Sequence, residues 1–230
     1  MPSPAAPFQL LAISDRRQLP GADVAAWAED LSAAGVGALL VREKDMDDLP
    51  LFRLLLRVRD AFPAPGKLLV SGRADLARAA EADGVHLPAR GLPTAAVRRH
   101  WRDGPGDLVG RSTHDPQEIE SEARSELPPR YVTLSPIYFT PSKATYGPPL
   151  GPDALRPAAA AGLPILALGG VDRGRFRELA AHGASGAAGI RLFLNGSADL
   201  AETVAEARRC FPPISADTPL SPPSHPSDET

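Results

Sequence analysis

Two cations spaced two residues apart, Arg42 and Lys44 in Val41-Arg42-Glu43-Lys44, are the first residues of the chain whose types and spacing point to chemistry. In extended backbone, side chains at i and i+2 share a face, so a guanidinium and an ammonium there can hold one phosphate or diphosphate together while Glu43 turns away. A second set follows the apolar stretch Tyr131–Pro136. Thr140, Ser142 and Lys143 supply two hydroxyls and a compact positive charge, which suits phosphate oxygens. A third is Gly169-Gly170 and Gly189-Ile190, where missing side chains let backbone N–H groups approach an anion at a helix N-terminus. Finally, Gly110-Arg111-Ser112-Thr113-His114 offers the Ser112 hydroxyl and the His114 imidazole. A ring that titrates near neutrality can exchange protons with a bound heterocycle. His86, inside the apolar Val85-His86-Leu87, reads instead as a hydrogen-bonded core residue.

These residues need elements that bring them to one place. Short apolar runs alternate with amphipathic ones along the chain. The runs read as strands at Leu10–Ser14, Ala38–Arg42, Lys67–Ser71, Gly84–Leu87, Leu108–Ser112, Tyr131–Pro136, Pro164–Leu168 and Gly186–Ile190. Helical patterns fall between them at Asp23–Ala34, Leu49–Ala61, Ala74–Ala82, Thr94–Trp101, Pro116–Glu126, Pro152–Ala160, Arg173–His182 and Ala198–Phe211. Asp115-Pro116 has the form of an N-cap followed by a first-turn proline, and Gly35 and Gly183 stand where helices should stop. Eight strand–helix units over about two hundred residues match a single parallel (β/α)8 TIM barrel, with an open doubly wound sheet as the alternative. Such a barrel binds its ligands at the C-terminal ends of the strands, and each candidate residue above lies at one. The expected organisation is a flexible lead over residues 1–9, the barrel over 10–211, and a disordered Pro/Ser-rich tail over 212–230.

Composition narrows the partners. The 230 residues are 43% hydrophobic and carry a formal net charge of −3, so there is a core to build and no basic field to attract nucleic acid or an anionic membrane. A single cysteine, Cys210, excludes an internal disulfide and a multi-cysteine metal site. With no apolar run of membrane-spanning length, the expectation is a cytoplasmic protein acting on a small phosphorylated molecule, with room for a homo-oligomer.

The ordered landmarks resemble the thiamine phosphate synthase/TenI superfamily from Leu10 to about Phe211. They are Ile13-Ser14-Asp15, Arg42-Glu43-Lys44, Arg73-Ala74-Asp75-Leu76-Ala77, Asp83-Gly84-Val85-His86-Leu87, Gly110-Arg111-Ser112-Thr113-His114, Ser135-Pro136-Ile137-Tyr138 with Thr140, Ser142 and Lys143, Ala167-Leu168-Gly169-Gly170-Val171, and Gly183-Ala184-Ser185-Gly186. The synthases join an aminopyrimidine diphosphate to a thiazole phosphate and release diphosphate with magnesium assistance. The resemblance implies diphosphate contacts at Arg42, Lys44, Ser112 and Lys143, and thiazole phosphate contacts at Thr140, Ser142, Gly170 and the end of the eighth strand. Yet Leu40, Ser71-Gly72 and Gly91 stand where the synthase pattern has a glutamine, an Asn-Asp pair and a second acid. Asp15 and Asp75 are not spaced to replace that pair of carboxylates. Ser71-Gly72-Arg73 and His86-Leu87-Pro88 look more like the TenI branch of thiazole tautomerases, which need no metal, although Pro136 occupies the position of the tautomerase histidine. The leading expectation is therefore a TenI-like thiazole tautomerase that binds a phosphorylated thiazole, moves its proton with His114 and uses no cofactor. A divergent synthase, which alone would call for magnesium and a phosphorylated pyrimidine, is the alternative. A non-catalytic thiazole phosphate-binding or regulatory protein is the third reading.

Overall fold

A computed structural model describes residues 4–101, 107–140 and 147–213. Eight strands, β1 (Leu10–Ile13), β2 (Ala38–Val41), β3 (Lys67–Ser71), β4 (Gly84–Leu87), β5 (Leu108–Thr113), β6 (Tyr131–Leu134), β7 (Ile165–Leu168) and β8 (Gly186–Gly189), pair in sequence order and close as a parallel barrel. Closure comes from β8 pairing with β1, with Leu11 opposite Ala188. The intervening helices are α1 (Val24–Ala34), α2 (Asp48–Ala61), α3 (Ala74–Ala79), α4 (Thr94–Arg99), α5 (Pro116–Ala123), α6 (Leu155–Ala159), α7 (Phe176–Ala181) and α8 (Ser197–Cys210).

The strands are apolar throughout because both faces are covered. One face packs outward against the helices through residues such as Leu39, Val41, Val70, Val85, Val109 and Ala167. The other fills the barrel with Leu11, Ile13, Ala38, Leu40, Leu69, Tyr131, Leu166 and Ala188. Glycines adjust this filling. A Cβ on Gly110 would overlap the Tyr131 ring, so the absent side chain on β5 is the space that Tyr131 on β6 occupies. The expected helix punctuation is present. Asp115 Oδ1 accepts the Gln117 N–H at 2.7 Å, and Gly35 ends α1 at φ 80°. The strand ends at the mouth are shorter than the apolar runs. Ser14, Arg42, Pro136 and Ile190 fall just past their strands.

Of the lead expected to be flexible over residues 1–9, residues 4–9 are described, and they pack onto the barrel. Ala6, Phe8 and Gln9 are buried, and Phe8 meets Tyr131 edge to face at 4.9 Å across the bottom of the barrel. Gln9 Nε2 donates to the carbonyls of Phe211 at 3.2 Å and Pro212 at 2.7 Å, tying the entry of the chain to the end of α8. The reason is that the N-terminal end of a barrel must be plugged, and the lead supplies the nearest apolar ring. The tail from residue 214 lies outside the described residues.

Phe8→Ala should therefore cost about 3–5 kcal/mol, as removal of a buried aromatic ring does. Chemical denaturation would measure it. An unchanged midpoint would return residues 1–9 to the status of a loose lead.

Candidate functional site

On β2 the side chain of Leu40 faces the barrel interior, so Arg42, two residues further, projects into the mouth. The backbone here is fixed by its neighbour strand. Ser14 Oγ accepts the Arg42 N–H at 2.9 Å and its own O–H donates to Glu43 Oε1 at 2.6 Å. Glu43 also accepts from the Arg16 backbone N–H at 3.1 Å and from Arg16 Nη1 at 3.0 Å. The acid is thereby buried in the seam between β1 and β2, away from the face that Arg42 and Lys44 share. The proximity of those two cations is felt electrostatically: the Arg42 charge, with a smaller contribution from burial, holds the Lys44 ammonium below its ordinary pKa. Neither side chain has an ion-pair partner among the described residues. Arg73 differs, being bound to Asp48 at 2.5 Å and Asp75 at 2.6 Å.

Below these cations the interior turns polar. His86 lies between Tyr131 and Ser112, with Nδ1 2.9 Å from the Tyr131 hydroxyl and Nε2 2.9 Å from Ser112 Oγ. Burial, followed by the positive charges of Arg111 and Arg42, pushes the His86 pKa down to about 3, so the ring is neutral. His86 is the hydrogen-bonded core residue its surroundings indicated, and it lies directly beneath the candidate diphosphate contacts. His114 stands at the rim. Its Nδ1–H donates to the Ser135 carbonyl at 2.8 Å, and its backbone N–H donates to Glu118 Oε2 at 2.7 Å, which helps to start α5.

The third group is assembled from three loops. Ile137 N–H donates to the Leu168 carbonyl at 3.0 Å and Tyr138 N–H to the Gly169 carbonyl at 2.9 Å, zipping the segment after β6 onto the end of β7. Gly169 and Gly170 adopt φ of 95° and 63°, and a Cβ on Gly170 would come within 2.5 Å of the Phe139 carbonyl oxygen. From beyond β8, Arg191 Nη2 donates to Thr140 Oγ1 at 2.7 Å. Thr140, Gly169, Gly170, Gly189 and Ile190 thus gather on one side of the mouth, with Arg191 bridging them. Ser142 and Lys143 lie outside the described residues. Sequence reasoning missed Ser14, which anchors the β2 end, and the role of Tyr131. The available signal for Tyr131 was the Gly110 facing it in register.

The positions that would anchor a dication are empty of acids. Gly72 follows β3 at φ 70°, and Gly91 packs on Pro88. Asp75 is held by Arg73, while Asp15 accepts from Gln18 Nε2 at 2.6 Å. Among the described residues no three His, Cys, Asp or Glu side chains gather as a metal group.

A closed eight-stranded parallel barrel whose C-terminal mouth carries two cation- and glycine-built arrangements belongs with the phosphate-binding (β/α)8 barrels. Comparison with known proteins makes this specific. Residues 10–193 match the family model described as thiamine monophosphate synthase (TMP-TENI), and the chain belongs to that family. It is 39% identical over 185 residues to the "Putative thiamine-phosphate synthase" of Geobacter sulfurreducens, covering 79% of this chain and 84% of that protein. It is 37% identical over 158 residues to the thiamine-phosphate synthase of Chlorobium luteolum, covering 68% and 73%. Among solved structures, thiamine phosphate pyrophosphorylase from Pyrococcus furiosus superposes with a TM-score of 0.74 at 21% identity, covering 89% of this chain and 95% of that one, which shows the shared fold. No helix among the described residues is long and apolar enough to cross a membrane.

Because the Arg42 charge depresses Lys44, Arg42→Gln should raise the Lys44 pKa toward its ordinary value. A carbon-detected NMR titration of the lysine side chains reads this directly. An unmoved Lys44 would place the two cations on different faces.

Proposed function

We propose that the protein joins a pyrimidine diphosphate to a thiazole phosphate and releases diphosphate, as a synthase that does without the family's carboxylate pair. The observation that supports this reading is that two groups of anion-directed residues stand on different strands of the mouth. Arg42 and Lys44 stand on the β2 side, and Gly170, Thr140 and Arg191 stand on the β6–β8 side. Two phosphorylated substrates need two such places, whereas isomerising one phosphorylated ring needs one. The names of the sequence relatives agree.

In this reading the thiazole phosphate is held by backbone N–H groups near Gly170 and Ile190, the Thr140 hydroxyl and the Arg191 guanidinium. The thiazole nitrogen attacks the pyrimidine methylene carbon and a C–N bond forms. The C–O bond to the diphosphate breaks, and its electron pair leaves with the diphosphate. Arg42, Lys44 and the Ser112 O–H meet the charge that builds on the departing oxygens. No proton transfer is required in this step, so His114 serves to orient the β5 and β6 ends. Gly72 and Gly91 do not fit a dication held by a carboxylate pair, since neither has a side chain to supply a carboxylate oxygen.

A second reading is favoured by one contact. Donation from His114 Nδ1–H to the Ser135 carbonyl holds the imidazole at the rim of the mouth, where it suits proton transfer on a thiazole carboxylate phosphate.

The purified protein supplied with both substrates should form thiamine phosphate, measured by fluorescence after oxidation to the thiochrome. Arg42→Gln should lower kcat by about 10²–10³, the usual cost of one donor to developing negative charge. Arg191→Gln should instead raise KM for the thiazole phosphate and leave kcat nearly unchanged, the signature of lost ground-state binding. Failure to make product, together with conversion of a thiazole carboxylate phosphate that is lost in His114→Asn, would establish the tautomerase reading. Binding of thiazole phosphate with neither turnover would leave a binding protein.

A further inference from the structure

Four strands contribute one row of inward residues below the mouth: Ser71, His86, Gly110 and Tyr131 lie opposite one another in register. Because Gly110 has no side chain, Tyr131 and His86 reach across it and stack, with ring centroids 5.5 Å apart and planes inclined by 29°. Tyr131 is fully buried against the Phe8 ring and Gly110, and among the described residues its hydroxyl has one hydrogen-bond partner, His86 Nδ1. A buried phenol with a single partner uses its proton on that partner, because the opposite arrangement would leave an O–H unbonded inside the barrel. Nδ1 of His86 is then the acceptor. Since the ring is neutral, its proton sits on Nε2.

That proton has one destination at normal distance, Ser112 Oγ at 2.9 Å, with Thr133 Oγ1 further away at 3.5 Å. Accepting from below occupies a lone pair of the Ser112 hydroxyl and turns its own proton upward, toward Arg42 and the mouth. In the other tautomer the serine would donate downward and present lone pairs to an incoming anion, which repels. We infer that Tyr131 and His86 act as positioning residues that set the polarity of the Ser112 hydroxyl, making it a proton donor to the phosphate oxygens held at Arg42 and Lys44. The inference rests on the reading of that side of the mouth as an anion site, but not on the identity of the reaction. It assigns a task to a buried histidine and a buried tyrosine.

Two measurements test it. In the unmodified protein, ¹⁵N NMR of the His86 ring should show the Nε2–H tautomer with shifts that do not change between about pH 5 and 8, as a ring held well below the ordinary histidine value requires. The Nδ1–H tautomer, or a ring that titrates in that window, would overturn the inference. The second measurement is calorimetric binding of inorganic diphosphate. Ser112→Ala and His86→Leu should each weaken it by about tenfold to a hundredfold, the effect of losing one hydrogen bond to a charged group. His86→Gln, which returns an N–H near the Nε2 position, should recover most of the loss. The double variant should be no weaker than either single one, because the two residues act as one donor. Full affinity in His86→Leu, additive losses, or no diphosphate binding by the unmodified protein would each overturn it. Diphosphate binding with the expected pattern but without condensation would overturn only the proposed reaction.

Discussion

The pairing of β8 with β1 is the constraint on which the rest of the structure depends. Closing the sheet removes both edges and forces the inner faces of all eight strands into one volume that must be filled without voids. That requirement explains the residues chosen there. Gly110 makes room for Tyr131, Gly186 lets the Gln9 backbone pass, and Phe8 comes up from the lead to seal the bottom. Closure also places the end of β8 one strand away from β1 and two from β2, with β7 beside it, so groups from distant parts of the chain share a single mouth.

Electrostatics then separates framework from site. Arginines around the barrel are mostly tied down: Arg98 to Asp107 at 2.9 Å, Arg57 to Asp23 at 3.0 Å, Arg73 to Asp48 and Asp75. The exposed ones among these pairs contribute little to stability, and the effect of all of them is to consume charge that would otherwise be available to ligands. Among the described residues Arg42 and Lys44 are left without such partners, and the neighbouring acid Glu43 is drawn into the β1–β2 seam by Ser14 and Arg16. Holding two like charges on one face is unfavourable, as the depressed Lys44 shows. A bound polyanion relieves that repulsion, which is why the arrangement reads as a site and not as surface decoration.

Much of this was legible in residue order. Apolar runs bounded by turn residues located all eight strands, because strands buried on both faces announce themselves without alternation. The Asp115-Pro116 cap and the glycine stops were equally plain, being local devices. The spacing of Arg42 and Lys44 gave a shared face, and Gly169-Gly170 gave a positive-φ turn. What resisted reading was whatever depends on contacts between distant segments. The lead looked disposable because nothing near it in sequence reveals that the barrel bottom needs Phe8. The 3₁₀ turns Pro152–Ala154 and Arg173–Arg175 merge with α6 and α7 in the sequence pattern, since both spacings carry the same apolar period at their start.

The site divides in the same way. Residue types alone gave the cations, hydroxyls and glycines expected to meet anions at the mouth, and the absence of the two acids resembling magnesium ligands, since chemistry at Gly72 and Gly91 is fixed by what a glycine lacks. Tertiary structure alone decided the direction in which that chemistry points. Arg191 reaches Thr140 across 51 positions of sequence, and His86 joins Tyr131 across 45. The tautomer of a buried imidazole and the direction of a serine hydroxyl depend on the partners each can reach. Sequence does not specify those partners until the barrel has closed and the register of β4, β5 and β6 has placed them.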